Sequence, residues 1–189
     1  MSSFEPALNH VIEKDEGRLL ELVKGDSGGQ TYCGIARNPN PGWEGWSLID
    51  AHLAQGHGIK ELNEDAQLQG MVKAFYLRGY WLACRCDLMP DQMALAVFSA
   101  AVNSGAGSAI QWLQRSLNQN ENAGLKDDGG LGPATTAALQ KMEPNRVFRG
   151  FMAHWGRHYL EIVEKKPDQL KFIHDWLSRW ASYFAAPAA

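Results

Sequence analysis

Apolar residues recur at helical spacing over most of the chain. Phe4, Ala7, Leu8, Val11 and Ile12 fall at i, i+3, i+4, i+7 and i+8, one face of an amphipathic helix that Gly17 is placed to end. The period then lapses between Leu22 and Ala36, where Gly25, Gly28, Gly29 and Gly34 crowd together with Asp26, Ser27 and Thr31. That composition predicts a tight loop or a small β-hairpin near residues 25–36. A Pro/Gly/Trp loop follows over 38–46, and a short helix is predicted from Leu48 to Ala54. Asn63 is placed to cap a helix reaching Gly79, with Leu68, Met71, Val72 and Phe75 inward. Pro90 opens a helix whose stretch from Met93 to Val102 is apolar on nearly all sides, which predicts burial in the middle of a domain. Asn103 and Gly105 stop it. Ile110, Trp112, Leu113 and Leu117 mark another helix, residues 118–132 a loop, and Pro133 the start of a short helix. Two longer helices are expected over 144–164, turning in Val147, Phe148, Phe151, Met152, Trp155 and Tyr159, and over 168–184. The predicted fold is mainly α with one small β element.

Composition narrows the function classes. A length of 189 residues fits one domain with at most a small appendage, and 45% hydrophobic with 21% charged residues suits a packed globular chain. A net charge of −3 offers no basic excess for phosphate contacts, so nucleic acid is excluded as a partner. No apolar run is long enough to cross a membrane, and Met1 to His10 lacks the basic start and apolar core of a secretory signal. The expectation is a chain made in the cytoplasm without membrane insertion. Cys33, Cys84 and Cys86 leave one thiol over under any internal pairing, and Cys84 and Cys86 are too close to pair in regular structure. They read as reduced thiols, with a single Cys33–Cys84 or Cys33–Cys86 bridge after export left open.

Candidate chemistry concentrates where the first helix ends. Glu13, Asp15 and Glu16 cluster there, directly before the glycine-rich segment. At about 100° per residue Glu13 falls opposite the apolar stripe, Asp15 on it and Glu16 at its edge beside Ile12. A carboxyl on that boundary is partly desolvated, which raises its pKa toward the range of a general acid. Periodicity alone leaves Asp15 and Glu16 both open.

The wording of this segment identifies a family. Glu16-Gly17 followed by Gly25-Asp26-Ser27-Gly28-Gly29-Gln30-Thr31-Tyr32-Cys33-Gly34-Ile35 resembles the N-terminal signature of glycoside hydrolase family 108. The likeness continues at Tyr80-Trp81, at Ala101-Val102-Asn103 with Gly105, at Leu113-Gln114, at Asp128-Gly129 with Gly132 and Thr135, and at Trp176 with Arg179. Arg18 stands where the family's second glycine is usual, and Ser99 where an acidic residue is expected. The resemblance implies a lysozyme-like helical fold, with a catalytic lobe over 1–89 and a helical part over 90–189 carrying a peptidoglycan-binding-like segment. It implies an N-acetylmuramidase that cleaves the β-1,4 bond between N-acetylmuramic acid and N-acetylglucosamine in peptidoglycan. By the same likeness Glu16 is the catalytic acid, Asp26 the base or electrostatic stabiliser, and Thr31 the holder of the attacking water. The alternatives are a lytic transglycosylase, or a wall-binding component of a phage or secretion apparatus without activity. Glycan strands are the implied partner. An enzyme made in the cytoplasm but acting in the periplasm or wall also implies delivery by a holin or secretion system, and an immunity or inhibitor protein where it serves as an antibacterial effector.

Gly28, Gly29 and Gly34 are expected to allow positive φ or close approach of sugar to backbone, with Tyr32 among them. Trp43 and Trp46 lie in the adjacent loop and suit stacking on sugar rings; Tyr80, Trp81 and Asn103 complete the candidate substrate contacts. No phosphate-cradling glycine motif and no G-x-S-x-G elbow occurs. His154 and His158 stand at i, i+4 without the glutamate of a zinc protease helix, so no metal or cofactor is expected. An anionic chain on an anionic wall gains little from long-range attraction. Its turnover on purified walls is therefore expected to change by less than about threefold between about 50 and 200 mM salt, read in a turbidity assay.

Overall fold

The computed structural model describes residues 3–22 and 28–185. The chain divides into two compact units, one of Leu8–Arg78 and the other of Met1–Ala7 with Gly79–Ala189. The architecture is mainly α, as expected, with one small antiparallel sheet.

In the first unit, helix α1 (Phe4–Val11, its opening residues assigned to the other unit) runs straight into a single π turn over Ile12–Glu16. Val11 and Ile12 are buried as the apolar stripe requires. The Gly17 N–H closes the turn on the Ile12 carbonyl at 2.7 Å, and its φ of +77° ends the helix at the expected glycine. The sheet has three strands in the order β1 (Leu20–Leu22), β2 (Gln30–Tyr32) and β3 (Ile35–Ala36). It is larger than the expected hairpin because β1 precedes the glycine cluster. Leu20 pairs with Tyr32, and Tyr32 with Ile35. Cys33 and Gly34 join β2 to β3 with φ of +47° and +77°, the left-handed pair that a two-residue primed turn demands.

Helices α2 (Gly45–Ala54), α3 (Ile59–Glu64) and α4 (Ala66–Tyr76) pack against one another. The helix expected from Asn63 to Gly79 starts at Ala66 instead, and α3 is a separate helix before it. Asp65 has extended backbone, breaks the run and caps α4 by accepting from the Leu68 N–H at 2.9 Å. Asn63 instead bridges two elements, its amide donating to the Arg18 carbonyl and its Oδ1 accepting from the Tyr32 hydroxyl at 2.9 Å. That hydroxyl also reaches the Leu62 carbonyl and receives the Gln69 amide at 2.8 Å. Burial holds the Tyr32 phenol well above its ordinary pKa. The aromatic ring of β2 is thus bolted to the α3–α4 junction. Arg18, the departure from the family's glycine pair, sits in an exposed bend and donates to Gln69. The residue that needs a positive φ is Gly17, so a side chain at position 18 is accommodated.

The second unit is helical. Helix α5 (Asp91–Ser104) is buried from Ala96 to Ala101 and ends at Gly105, whose φ of +86° redirects the chain into α6 (Ala106–Glu121). Helix α7 (Pro133–Leu139) is short. The amphipathic α8 (Pro144–Lys165) turns Val147, Phe148, Phe151, Met152, Trp155 and Tyr159 inward, as the pattern requires. A 3₁₀ segment over Pro167–Phe172 precedes α9 (Ile173–Ala185), so the last α-helix starts later than expected. Cys33, Cys84 and Cys86 are all buried thiols outside any disulfide. No helix among the described residues is long and apolar enough to cross a membrane.

Asp65 supplies a stability test. Its carboxyl is held below its ordinary pKa, first by the Leu68 N–H and then by His52 at 2.8 Å. A depressed carboxyl stabilises the fold above its unfolded pKa, and the benefit fades as pH falls through the lower folded value. Asp65→Ala is therefore expected to cost about 1 kcal/mol in urea unfolding at pH 7. The gap to wild type should narrow as the pH drops below about 4.

Candidate active site

The three acidic residues at the end of α1 separate in the way the helical wheel suggests. Glu13 is exposed, while Asp15 and Glu16 are half-buried. A tertiary contact distinguishes Glu16. A Cβ built on Gly34 would lie 2.6 Å from Glu16 Oε2, 2.6 Å from the Tyr76 hydroxyl oxygen and 2.9 Å from Glu16 Cβ. The Glu16 carboxylate and the Tyr76 phenol therefore occupy the space directly over the Gly34 backbone. Any other residue at position 34 would both collide there and strain a φ of +77°. Tyr76 is buried and donates to the Cys33 carbonyl at 2.7 Å, locking the tip of the β2–β3 turn to the end of α4. The carboxylate that meets this platform is that of Glu16.

Thr31 sits on β2 opposite Glu21 of β1 and Ala36 of β3. It faces away from buried Tyr32 and is itself half-exposed, with its hydroxyl making one long bond of 3.4 Å to the Gly29 carbonyl. Strand pairing holds it in register with the platform under Glu16. Asp26 lies outside the described residues. Gly29 has a φ of +71° and a Cβ there would meet the Asn38 amide at 2.9 Å, while the Gly28 carbonyl accepts from the Asn38 N–H. The approach of Asn38 and the positive φ account for glycine at position 29; the Gly28 carbonyl bond makes no such demand.

Three aromatic candidates need correction. Tyr32 is fully buried, Trp46 is 3% exposed with its indole N–H on the Asn40 carbonyl, and Trp81 is 3% exposed between Phe4 and Phe98. None presents a ring face to a sugar. The polar tips of Tyr32 and Trp46 find partners inside the protein, and for all three burial of the large apolar body wins. Trp43 is half-buried, edge-on to Trp46 at 5.1 Å and packed on Phe75, and Tyr80 is half-buried. Asn103 is exposed at the end of α5, with its Oδ1 receiving the Tyr159 hydroxyl at 3.0 Å and the Ser104 hydroxyl at 3.2 Å. Tyr159 in turn accepts the Trp155 indole N–H at 2.9 Å. This chain fixes the amide so that its NH₂ is left to donate.

Tyr76 is the residue that sequence reasoning misses, although Leu68, Val72 and Tyr76 form an i, i+4, i+8 row that is buried throughout. The Asp128–Thr135 segment is largely exposed, but its polar groups turn inward onto one buried amide. Gln114 is 1% exposed; its amide NH₂ donates to the Gly130 carbonyl at 2.8 Å and to Asp128 and Thr135 at 3.2 Å, and its Oε1 takes the Gly129 N–H. The motif closes the α6–α7 loop around one buried amide.

Known proteins supply the comparison. Residues 9–105 match the model of glycosyl hydrolase 108, and residues 108–181 that of a predicted peptidoglycan domain. Among solved structures, SagA of Brucella abortus is similar with a TM-score of 0.66 at 23% identity, over 95% of this chain and 90% of that one. That likeness speaks for the fold. Comparison with curated proteins finds no match.

The platform itself is testable without reference to substrate. Gly34→Ala is expected to destabilise the fold by about 1–3 kcal/mol in urea unfolding, from the strained φ and the collision with Glu16 and Tyr76. An unchanged midpoint would contradict the geometry described above.

Proposed function

The chain belongs to glycosyl hydrolase family 108 and is a glycoside hydrolase of peptidoglycan, and from that premise we propose that it cleaves the β-1,4 bond between N-acetylmuramic acid and N-acetylglucosamine with Glu16 as general acid. The observation that carries this reading is the seating of the Glu16 carboxylate, half-buried, over Gly34 beside the Tyr76 hydroxyl. A positioned carboxylic acid is what the departing sugar oxygen needs. Glu16 gives its proton to the O4 of the leaving N-acetylglucosamine as the bond to C1 of N-acetylmuramic acid breaks and positive charge builds on that ring. Water adds to C1, restoring the electron pair lost to the leaving oxygen, and its proton passes to Asp26. Asp26 is assigned to this step by its place in the sequence motif. Thr31, on the exposed face of β2, holds that water by its hydroxyl. A second carboxylate at about 6.5–9.5 Å from Glu16 would make the outcome inversion.

On this reading the enzyme works where its substrate lies, outside the cytoplasmic membrane, and a holin or a secretion apparatus brings it there. Each unit by itself offers side chains proposed to meet the glycan, Trp43 in the first and Tyr80 and the Asn103 amide in the second, since they keep accessible surface while Trp46 and Trp81 do not.

The test is turnover of purified peptidoglycan with product analysis by mass spectrometry. Wild type is expected to release products with reducing N-acetylmuramic acid ends, and 1,6-anhydro ends would replace the hydrolase with a transglycosylase. Glu16→Gln should lower the rate by about 10²–10⁴-fold with an unchanged unfolding midpoint. Thr31→Ala should cost at least about tenfold through misplaced water. Equal rates for wild type and Glu16→Gln would leave a wall-binding chain without this chemistry.

A further inference from the structure

On the side of α8 away from its buried row, Arg149, Ala153, Arg157, Leu160 and Glu164 form a stripe at i, i+4, i+8, i+11 and i+15, all of it exposed. Between this stripe and α9 lies a groove of about 770 Å³. Trp180 crosses over Gly156 within it, where a Cβ would lie 3.1 Å from the indole ring. The indole N–H donates to the Met152 carbonyl at 2.9 Å, and the ring stands edge-on to Phe184 at 4.9 Å. Its polar atom is satisfied inside the chain, so what the groove offers is apolar. Leu160, Leu177 and Phe184 rim it and stay 53%, 36% and 46% exposed. Large apolar side chains gathered in this way mark an interaction surface.

The order of charges says what fits there. Arg149 and Arg157 come first along the helix, Glu161 and Glu164 last. Among the described residues, no ion pair within the chain engages any of the four. A stripe that runs from basic to acidic is its own complement once a second copy lies antiparallel across it. A basic or an acidic peptide would answer only half of it. We propose that this face joins two copies of the chain through an antiparallel α8–α8 contact, with Leu177 and Phe184 of α9 closing its flank. A two-fold axis between Gly156 and Arg157 sets Arg149 against Glu164 of the second copy and Ala153 against its Leu160. Each pairing then forms twice by symmetry, and small against large lets the helices approach. Arg157 lies next to the axis, and Glu161 of each copy, one turn further on, offsets the two guanidinium charges there. The contact does not depend on the chemistry assigned to Glu16.

The experiment is sedimentation equilibrium of the full chain between about 1 and 200 µM, where a monomer–dimer equilibrium is expected. Leu160→Glu should raise the dimer dissociation constant by at least about tenfold, with an unchanged unfolding midpoint because the side chain it replaces is exposed. Arg149→Glu and Glu164→Arg should each raise it by about tenfold or more. The two changes together should restore association, since the pair is then the same with its signs exchanged. A monomer throughout that range overturns the proposal, and so does a dimer that Leu160→Glu leaves intact. A double variant no tighter than the single ones overturns the antiparallel pairing. A monomer whose binding to purified glycan strands is lost in Leu160→Glu gives the groove to the wall instead and overturns the contact between copies.

Discussion

The arrangement depends on one close approach, the Glu16 carboxylate and the Tyr76 phenol lying over the bare Cα of Gly34. Glycine there meets two demands together. It supplies the positive φ that turns β2 into β3, and it leaves the space that the carboxylate occupies. Tyr76 then ties the turn to α4 through the Cys33 carbonyl, while Tyr32 ties the same strand to the α3–α4 junction. Two buried hydroxyls thus fix the sheet against α4 and the α3–α4 junction. An acid held this way does not need to reorganise during reaction, which is the main requirement for electrostatic and proton-transfer catalysis.

Much of this is legible in the sequence, with one kind of information missing. The apolar stripe of α1 turns Glu13 out, and it places Asp15 on the stripe and Glu16 at its edge, where the structure leaves both half-buried. Helical periodicity does not choose between them because the chain leaves α geometry for a π turn at Ile12–Glu16, and because the deciding partner sits on a distant turn. Gly34 reads as a position of positive φ or close approach, but the group that approaches is the protein's own carboxylate. The sheet exceeds its prediction because Leu20–Leu22 is too short for alternation to show. Tyr32, Trp46 and Trp81 look like cleft residues from their glycine-rich or motif-like surroundings. Composition does not reveal that the hydroxyl of Tyr32 and the indole N–H of Trp46 are satisfied inside, or that Phe4 and Phe98 enclose Trp81.

The second unit repeats the lesson for a motif. Asp128, Gly129 and Thr135 resemble a wall-binding signature, yet their polar groups converge on buried Gln114 and hold a loop shut. Satisfied groups of this kind build the scaffold.

In the proposed mechanism everything turns on Glu16, seated on Gly34, delivering the proton for hydrolysis. The most direct check is digestion of purified peptidoglycan in ¹⁸O-labelled water by wild type and by Glu16→Gln, with mass analysis of the new N-acetylmuramic acid ends. One ¹⁸O is expected at each new reducing end with wild type, and no new ends above background with the variant. Unlabelled or 1,6-anhydro ends, or equal labelled release by the variant, would contradict that role for Glu16.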